Sequence, residues 1–259
     1  MGILLFFVLL GIPNMKMNNF TPFSPHGLIG VFQASAIIFF AYVGFIRPIY
    51  VVEEVKDPKK NVPKGIFLGL IISAIIYFLV TFVAIGLVGS NVLGSTDSPL
   101  ASAISTTNFP QVVSIIVFGA MIATFSVLLG DVLGLSRMIF AMGRKGDYPK
   151  WFGNIENFSR TPRRAVLFAG LIIGIPTLFF DLRSLIQVAS FLILVYFAFV
   201  NLSAIKLKKG SRRFSIISTI GIIGTLILAF SLSISSILIG FLSVFLGIIY
   251  FLMKKNFYR

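Results

Sequence analysis

Long apolar runs interrupted by short polar breaks organise this chain from end to end. Seven of them, at 28–52, 65–89, 111–141, 165–180, 184–205, 214–231 and 235–253, are expected to be membrane-spanning helices. A run of about 18 or more apolar residues, rising 1.5 Å each, covers a hydrocarbon core. The apolar stretch at 2–11 is too short to cross alone, because at that rise it covers about 15 Å, half of a core near 30 Å thick. It is expected to be the end of a helix whose first half lies upstream. It has neither the basic start nor the small-residue cleavage site of a signal peptide. No stretch alternates polar and apolar residues over about ten positions, as the strands of a transmembrane barrel do, so a helical bundle is expected.

The polar breaks carry a charge pattern that orients the bundle. Alternate breaks hold Lys56, Lys59, Lys60 and Lys64; Arg137, Arg144, Lys145, Lys150, Arg160, Arg163 and Arg164; Lys206, Lys208, Lys209, Arg212 and Arg213; and Lys254, Lys255 and Arg259. These are 19 of the 22 Lys and Arg residues. The intervening breaks hold Lys16 and Arg183 alone, and the segment 90–110 has no basic residue. Cytoplasmic loops carry the excess of Lys and Arg, so the C-terminus is expected in the cytoplasm and 90–110 outside, in a multi-pass protein of the cell membrane.

Composition agrees with this reading and removes other classes. The chain is 57% hydrophobic and 12% charged, against about 25% charged in a soluble domain, so lipid must be the solvent for most of its surface. The net charge of +14 is then orientation charge rather than a nucleic-acid footprint. With no cysteine, neither disulfides nor a Cys metal site is available. His26, the single histidine, falls in an outer break and is expected to be solvated. Glu53 and Glu54 are adjacent and so do not face one another on a helix. Neither a phosphate-binding Gly-rich motif nor a His-Glu metal helix occurs, so no cofactor, metal or enzymatic chemistry is expected. Asn19-Phe20-Thr21 fits the glycosylation pattern on the outer side.

One span carries its own interruption, at Gly44, Phe45, Ile46, Arg47 and Pro48. Pro48 lacks an N–H and clashes with the preceding turn, Arg47 is pushed toward extended geometry, and Gly44 permits unusual dihedrals. A break is expected over residues 40–48. Unwound backbone at membrane depth persists where it lines a cavity, and secondary transporters bind substrate at such breaks; a plain proline kink is the alternative. Arg47 and Asp131 are the two clearly intramembrane charges, each costing about 2.5–3.5 kcal/mol at a helix centre. They are candidates to pair with each other. Alternatively, Arg47 snorkels to an interface, and Asp131 is satisfied by hydroxyls such as Ser126 or Ser136.

Two blocks of residues resemble a known family. Phe39-Phe40-Ala41-Tyr42-Val43-Gly44-Phe45, then Glu53-Glu54-Val55-Lys56-Asp57-Pro58 and Asn61-Val62-Pro63-Lys64-Gly65-Ile66, are similar to the sixth helix and following loop of amino acid permeases of the amino acid-polyamine-organocation superfamily. The run from Leu135-Ser136-Arg137 through Gly143-Arg144-Lys145-Gly146-Asp147-Tyr148-Pro149-Lys150 is similar to the end of the eighth helix and its amphipathic loop. Thr161-Pro162, Phe180-Asp181-Leu182-Arg183 and Asn201-Leu202-Ser203 continue the match.

The resemblance implies an all-α membrane bundle, a partial leucine-transporter fold. Residues 2–11 would be a remnant of the fifth helix and the seven spans the sixth to twelfth. All of 1–259 would be one transmembrane domain, with 28–205 a complete five-helix repeat and 214–253 two terminal helices. It also implies secondary transport of an amino acid or polyamine-like substrate, ion-coupled or exchanging. Phe40, Ala41, Tyr42, Gly44 and Phe45 would line the site, and Phe40 would cover the substrate. Where many relatives place an acid after Gly-Phe, this chain has Ile46 followed by Arg47-Pro48. In the family the other half of the site lies on a broken first helix, so the alternative is an inactive fragment or a partner subunit needing a separate N-terminal chain.

Overall fold

The computed structural model describes residues 1–45, 55–109, 111–156, 160–206 and 212–257, with backbone alone at 212–214 and 254–257. Among them every regular element is helical: α1 (Gly2–Gly11), α2 (Gly27–Ala41), α3 (Pro58–Val88), α4 (Ser90–Ser95), α5 (Pro99–Ser105), α6 (Val112–Lys145), α7 (Arg163–Phe179), α8 (Leu182–Lys206), α9 (Arg212–Ser231) and α10 (Ile234–Phe257), with short 3-10 turns between some of them.

Five helices among the described residues are long and apolar enough to cross a membrane: Gly27–Phe45, Pro58–Val88, Val112–Lys145, Leu182–Lys206 and Ile234–Met253. Seven were expected, and α7 falls short. With 17 residues, α7 covers about 25 Å. Two arginines, Arg163 and Arg164, open it, and it stops where Phe180 turns extended. The helix α9, Arg212–Ser231, has 20 residues, and its stretch with described side chains, Ser215–Ser231, is apolar. The segment 90–110, expected only as a loop, folds into α4 and α5, with Gly89 supplying a φ of 81° between α3 and α4.

Chain contacts divide the protein into two compact units, and the division falls inside α3. The first comprises Met1–Thr21 and Ala74–Phe180. There Phe7 and Val8 of α1 pack with Val83, Ala84 and Leu87 of α3, and with Ile104 and Ile116. Glycines permit the approach: a β-carbon on Gly11 would collide with Val83, and one on Gly119 with Ile3. The connection after α1 folds over the end of α3, where the backbone N–H of Lys16 and the side-chain amide of Asn19 both donate to the Gly86 carbonyl at 2.8 Å. The glycosylation-pattern Asn19 thus has its amide engaged in holding this connection. At its other end α6 stops on Gly146 in the left-handed region (φ 78°), and the Asp147 N–H donates to the Met142 carbonyl at 2.7 Å. Glycine favours that geometry, while Arg144 and Lys145 in the last turn complement the helix dipole.

The second unit comprises Pro22–Ser73 and Asp181–Arg259. Its core joins Ala36 of α2, Phe191 and Leu194 of α8, and Ala229 and Leu232, all nearly inaccessible. Gly221 of α9 lies against Asn201, and Gly240 of α10 against the Phe191 ring. Such small-residue contacts suit helices in lipid, where close backbone approach, rather than expulsion of water, holds neighbours together.

Candidate functional site

The predicted site residues lie at the end of α2, in the second unit. Regular α-helix ends at Ala41, where the Tyr42 N–H is shared between the Phe39 and Phe40 carbonyls. Residues 43–45 then form one tighter 3-10 turn, closed by the Phe45 N–H donating to the Tyr42 carbonyl at 3.1 Å. Such i→i+3 bonding narrows the helix and is common at a helix end or a functional hinge. Ile46 to Glu54 lie outside the described residues, and with them Arg47, Pro48, Glu53, Glu54 and the far side of the expected break.

The predicted residues divide by the direction they face. Phe45 turns to α8, where its ring packs 5.5 Å from that of Phe197, and Phe39 meets the same ring edge-on at 5.6 Å. Aromatic contacts of this kind contribute about 0.5–1.5 kcal/mol each beyond area burial. Phe40, Ala41 and Gly44 are exposed, while Tyr42 is half-buried. Gly44 does not use the dihedral freedom expected of it, because its φ lies outside the left-handed region. A β-carbon there would meet nothing within 4 Å, so what the glycine contributes is open backbone. Phe197, on which the turn rests, was not among the residues singled out from the sequence. Its only mark there is a place in an aromatic-rich stretch, Tyr196-Phe197-Ala198-Phe199.

Asp131 sits on α6, in the first unit, at an exposed position. Ser136, considered with Ser126 as a hydroxyl partner for it, is buried and donates to the Leu133 carbonyl at 2.9 Å. The pairing of Asp131 with Arg47 involves a residue outside the described set. No group of three or more His, Cys, Asp or Glu residues able to hold a metal ion occurs among the described residues. Two apolar cavities have linings that include none of residues 40–45. One, of about 560 Å³, lies between α5 and α6 and includes Leu100, Met121 and Phe125; the other, of about 320 Å³, includes Phe191, Leu226 and Phe241.

Helices of this length and apolarity define a multi-pass, all-helical membrane protein. The sequence profile of the amino acid permease family matches residues 1–255. The chain is 34% identical over 213 residues to an uncharacterized transporter of Mycobacterium tuberculosis, covering 82% of this chain and 48% of that one. It is 32% identical over 208 residues to the methylthioribose transporter of Bacillus subtilis, covering 80% and 45%. It is also 32% identical over 183 residues to the mitochondrial cationic amino acid transporter 3 of Arabidopsis thaliana, covering 71% and 30%. The chain belongs to the amino acid permease family, a family of transporters rather than enzymes. It spans half or less of the length of these relatives.

Proposed function

We propose that the protein carries out secondary transport of amino acids or related organic cations, coupled to an ion gradient or to exchange. The observation that carries this reading is the end of α2: in a chain of this family, regular helix stops at Ala41 and a single tighter turn follows, with Phe40 and Gly44 exposed. Backbone at such a point can meet the carboxylate and amino groups that all amino acids share, as broken helices do in secondary transporters. Phe40 then covers the substrate, Tyr42 borders it, and Phe45 holds the turn against Phe197. Substrate choice is a separate matter. The relatives named above include a methylthioribose transporter and a cationic amino acid transporter, and this chain has Ile46 where many relatives have an acid.

The same reading takes 28–205 as one complete repeat, followed by two terminal helices over 214–253. It puts the C-terminus in the cytoplasm of a cell-membrane protein, with 90–110 outside. Because the chain has no cysteine, single introduced thiols report orientation cleanly. A cysteine at Ser95 should react with an impermeant reagent from outside the cell, and one at Asn154 should not; the reverse labelling refutes the orientation.

In a second reading the chain is an inactive fragment or a partner subunit that requires a separate chain to supply the first helices. Uptake of labelled amino acids into vesicles, with and without a coexpressed N-terminal fragment, separates the two. Uptake by this chain alone supports the first reading, and uptake only with the fragment supports the second. If neither preparation takes up substrate while both are folded and inserted, the transport proposal fails.

A further inference from the structure

The connection between α6 and α7 is a built platform rather than a loose loop. Its 3-10 turn, Lys150–Gly153, is locked to the end of α6 by two glycines: a β-carbon on Gly143 would lie 2.6 Å from the Gly153 nitrogen, and one on Gly153 would lie 2.9 Å from the Arg144 nitrogen. Phe152 points inward and is buried with Ile139, Ala165 and Ala169. Trp151, stacked on it at 4.0 Å, is 49% exposed. The Arg164 guanidinium lies 5.9 Å from the centre of the Trp151 ring. A tryptophan with one face packed and one open is the side chain most at home at a membrane–water interface.

Beside this platform is a cavity of about 400 Å³, lined by Asn154, Ile155, Glu156, Arg163, Arg164 and Leu167. Its polar lining comprises two guanidinium groups, an amide and the Glu156 carboxylate. Leu167 lies one helical turn after Arg163 and is 59% exposed, and Ile155 is 53% exposed. Arg163 holds Glu156 at 3.2 Å, but the two side chains are 67% and 40% exposed, and exposed pairs of this kind are weak and readily exchanged. Residues 144–164 hold six basic residues against two acids, Asp147 and Glu156. Orientation charge alone needs no cavity and no preference for arginine. Planar guanidinium groups beside an amide, with apolar side chains one turn into the helix, match a phosphate diester with an acyl chain attached.

We propose that this cavity binds the headgroup of an anionic phospholipid drawn from the bilayer. Arg163 and Arg164 take its phosphate oxygens, and Ile155 and Leu167 meet the first carbons of its acyl chains. The inference does not depend on transport activity.

Trp151 is the only tryptophan in the chain, so its fluorescence reads this site alone. The full-length chain is reconstituted in phosphatidylcholine containing a minor fraction of brominated lipid. Brominated phosphatidylglycerol should favour Trp151 on the order of fivefold over brominated phosphatidylcholine, the factor that one arginine near an anionic surface typically contributes. Arg163→Gln with Arg164→Gln should remove the preference, while Lys59→Gln with Lys60→Gln should keep it. Glu156→Gln, which releases Arg163 from its exposed pair, should strengthen it and gives a second reading if the double arginine variant does not fold. Equal quenching by the two lipids overturns the proposal. A preference lost in the Lys59/Lys60 variant overturns it in favour of general surface charge. Displacement by millimolar glycerol phosphate in the buffer overturns it in favour of a soluble anion, and an unchanged or weakened preference in Glu156→Gln also counts against it.

Discussion

The side-chain amide of Asn201 on α8 fills the space beside Gly221 on α9, so that a β-carbon at Gly221 would lie 2.8 Å from its oxygen and 3.0 Å from its nitrogen. The amide has little freedom to retreat, because its Nδ2 donates to the Phe197 carbonyl at 2.9 Å. Gly221→Ala should therefore cost about 1–3 kcal/mol by overpacking. Gly224→Ala, where nothing lies within 4 Å, should be neutral or slightly stabilising, since alanine is the better helix former. Thermal unfolding of both variants in detergent gives the comparison, and equal shifts would contradict the contact.

Phe197 supports both aromatic rings at the end of α2, so its removal should act on the candidate site from outside it. Phe197→Ala forfeits the ring contacts with Phe39 and Phe45, about 1–3 kcal/mol together, and should loosen the 43–45 turn. Phe199→Ala, at a position 60% exposed, should have a smaller effect on stability. Where uptake is measurable, the Phe197 variant should lose more of it than the Phe199 variant at equal expression. The opposite order would detach the turn from transport.

Gln187 on α8 gathers hydroxyls from α10 and the residue before it: Ser236 donates to its Oε1 at 3.1 Å, and Ser233 donates to the same oxygen. Gln187→Leu leaves the half-buried Ser233 and the buried Ser236 hydroxyls without that acceptor, a loss of about 1–3 kcal/mol. Adding Ser233→Ala and Ser236→Ala should recover part of it, because no polar group is then stranded. A mutant cycle on unfolding midpoints checks this, and strictly additive losses would show that the contacts carry no coupling.

Asp181, between α7 and α8, accepts from the Ser184 hydroxyl at 2.6 Å and from the Ser184 backbone N–H at 3.1 Å. These bonds hold its carboxyl below the usual value of 3.8. Both bonds favour the ionised form. A depressed folded-state pKa contributes stability that is fully present above the unfolded value and is lost as pH falls through the folded one. Asp181→Ala should therefore lower the unfolding midpoint at neutral pH and make little difference once the medium is acidic enough to protonate the wild-type carboxyl. Unfolding midpoints of the two proteins compared along a falling pH series test the sign. A gap that widens on acidification would be the wrong one.

That the chain is a helical membrane bundle was legible in the sequence, because apolar runs of spanning length have one physical solution in lipid: backbone groups bonded within each helix. The span expected at 111–141 is longer as a helix, since α6 runs on to Lys145 before Gly146 stops it. An interruption in the 28–52 span was expected over 40–48; its described part ends α-helix at Ala41, and the rest lies outside the described residues. Tertiary structure alone decided which face of each helix meets another. In water, a polar face and an apolar face tell solvent from core. A helix in lipid is apolar all round, and that signal vanishes. Hence nothing in the sequence separated Phe197, beneath the turn, from Phe199, exposed two residues on, or the buried Phe152 from the exposed Trp151. Likewise Gly44 and Gly221 read alike as glycines; neighbours in space leave the first open and bring Asn201 against the second. The shortness of α7 was likewise settled by structure: its two opening arginines and the extended Phe180 bound a helix of 17 residues.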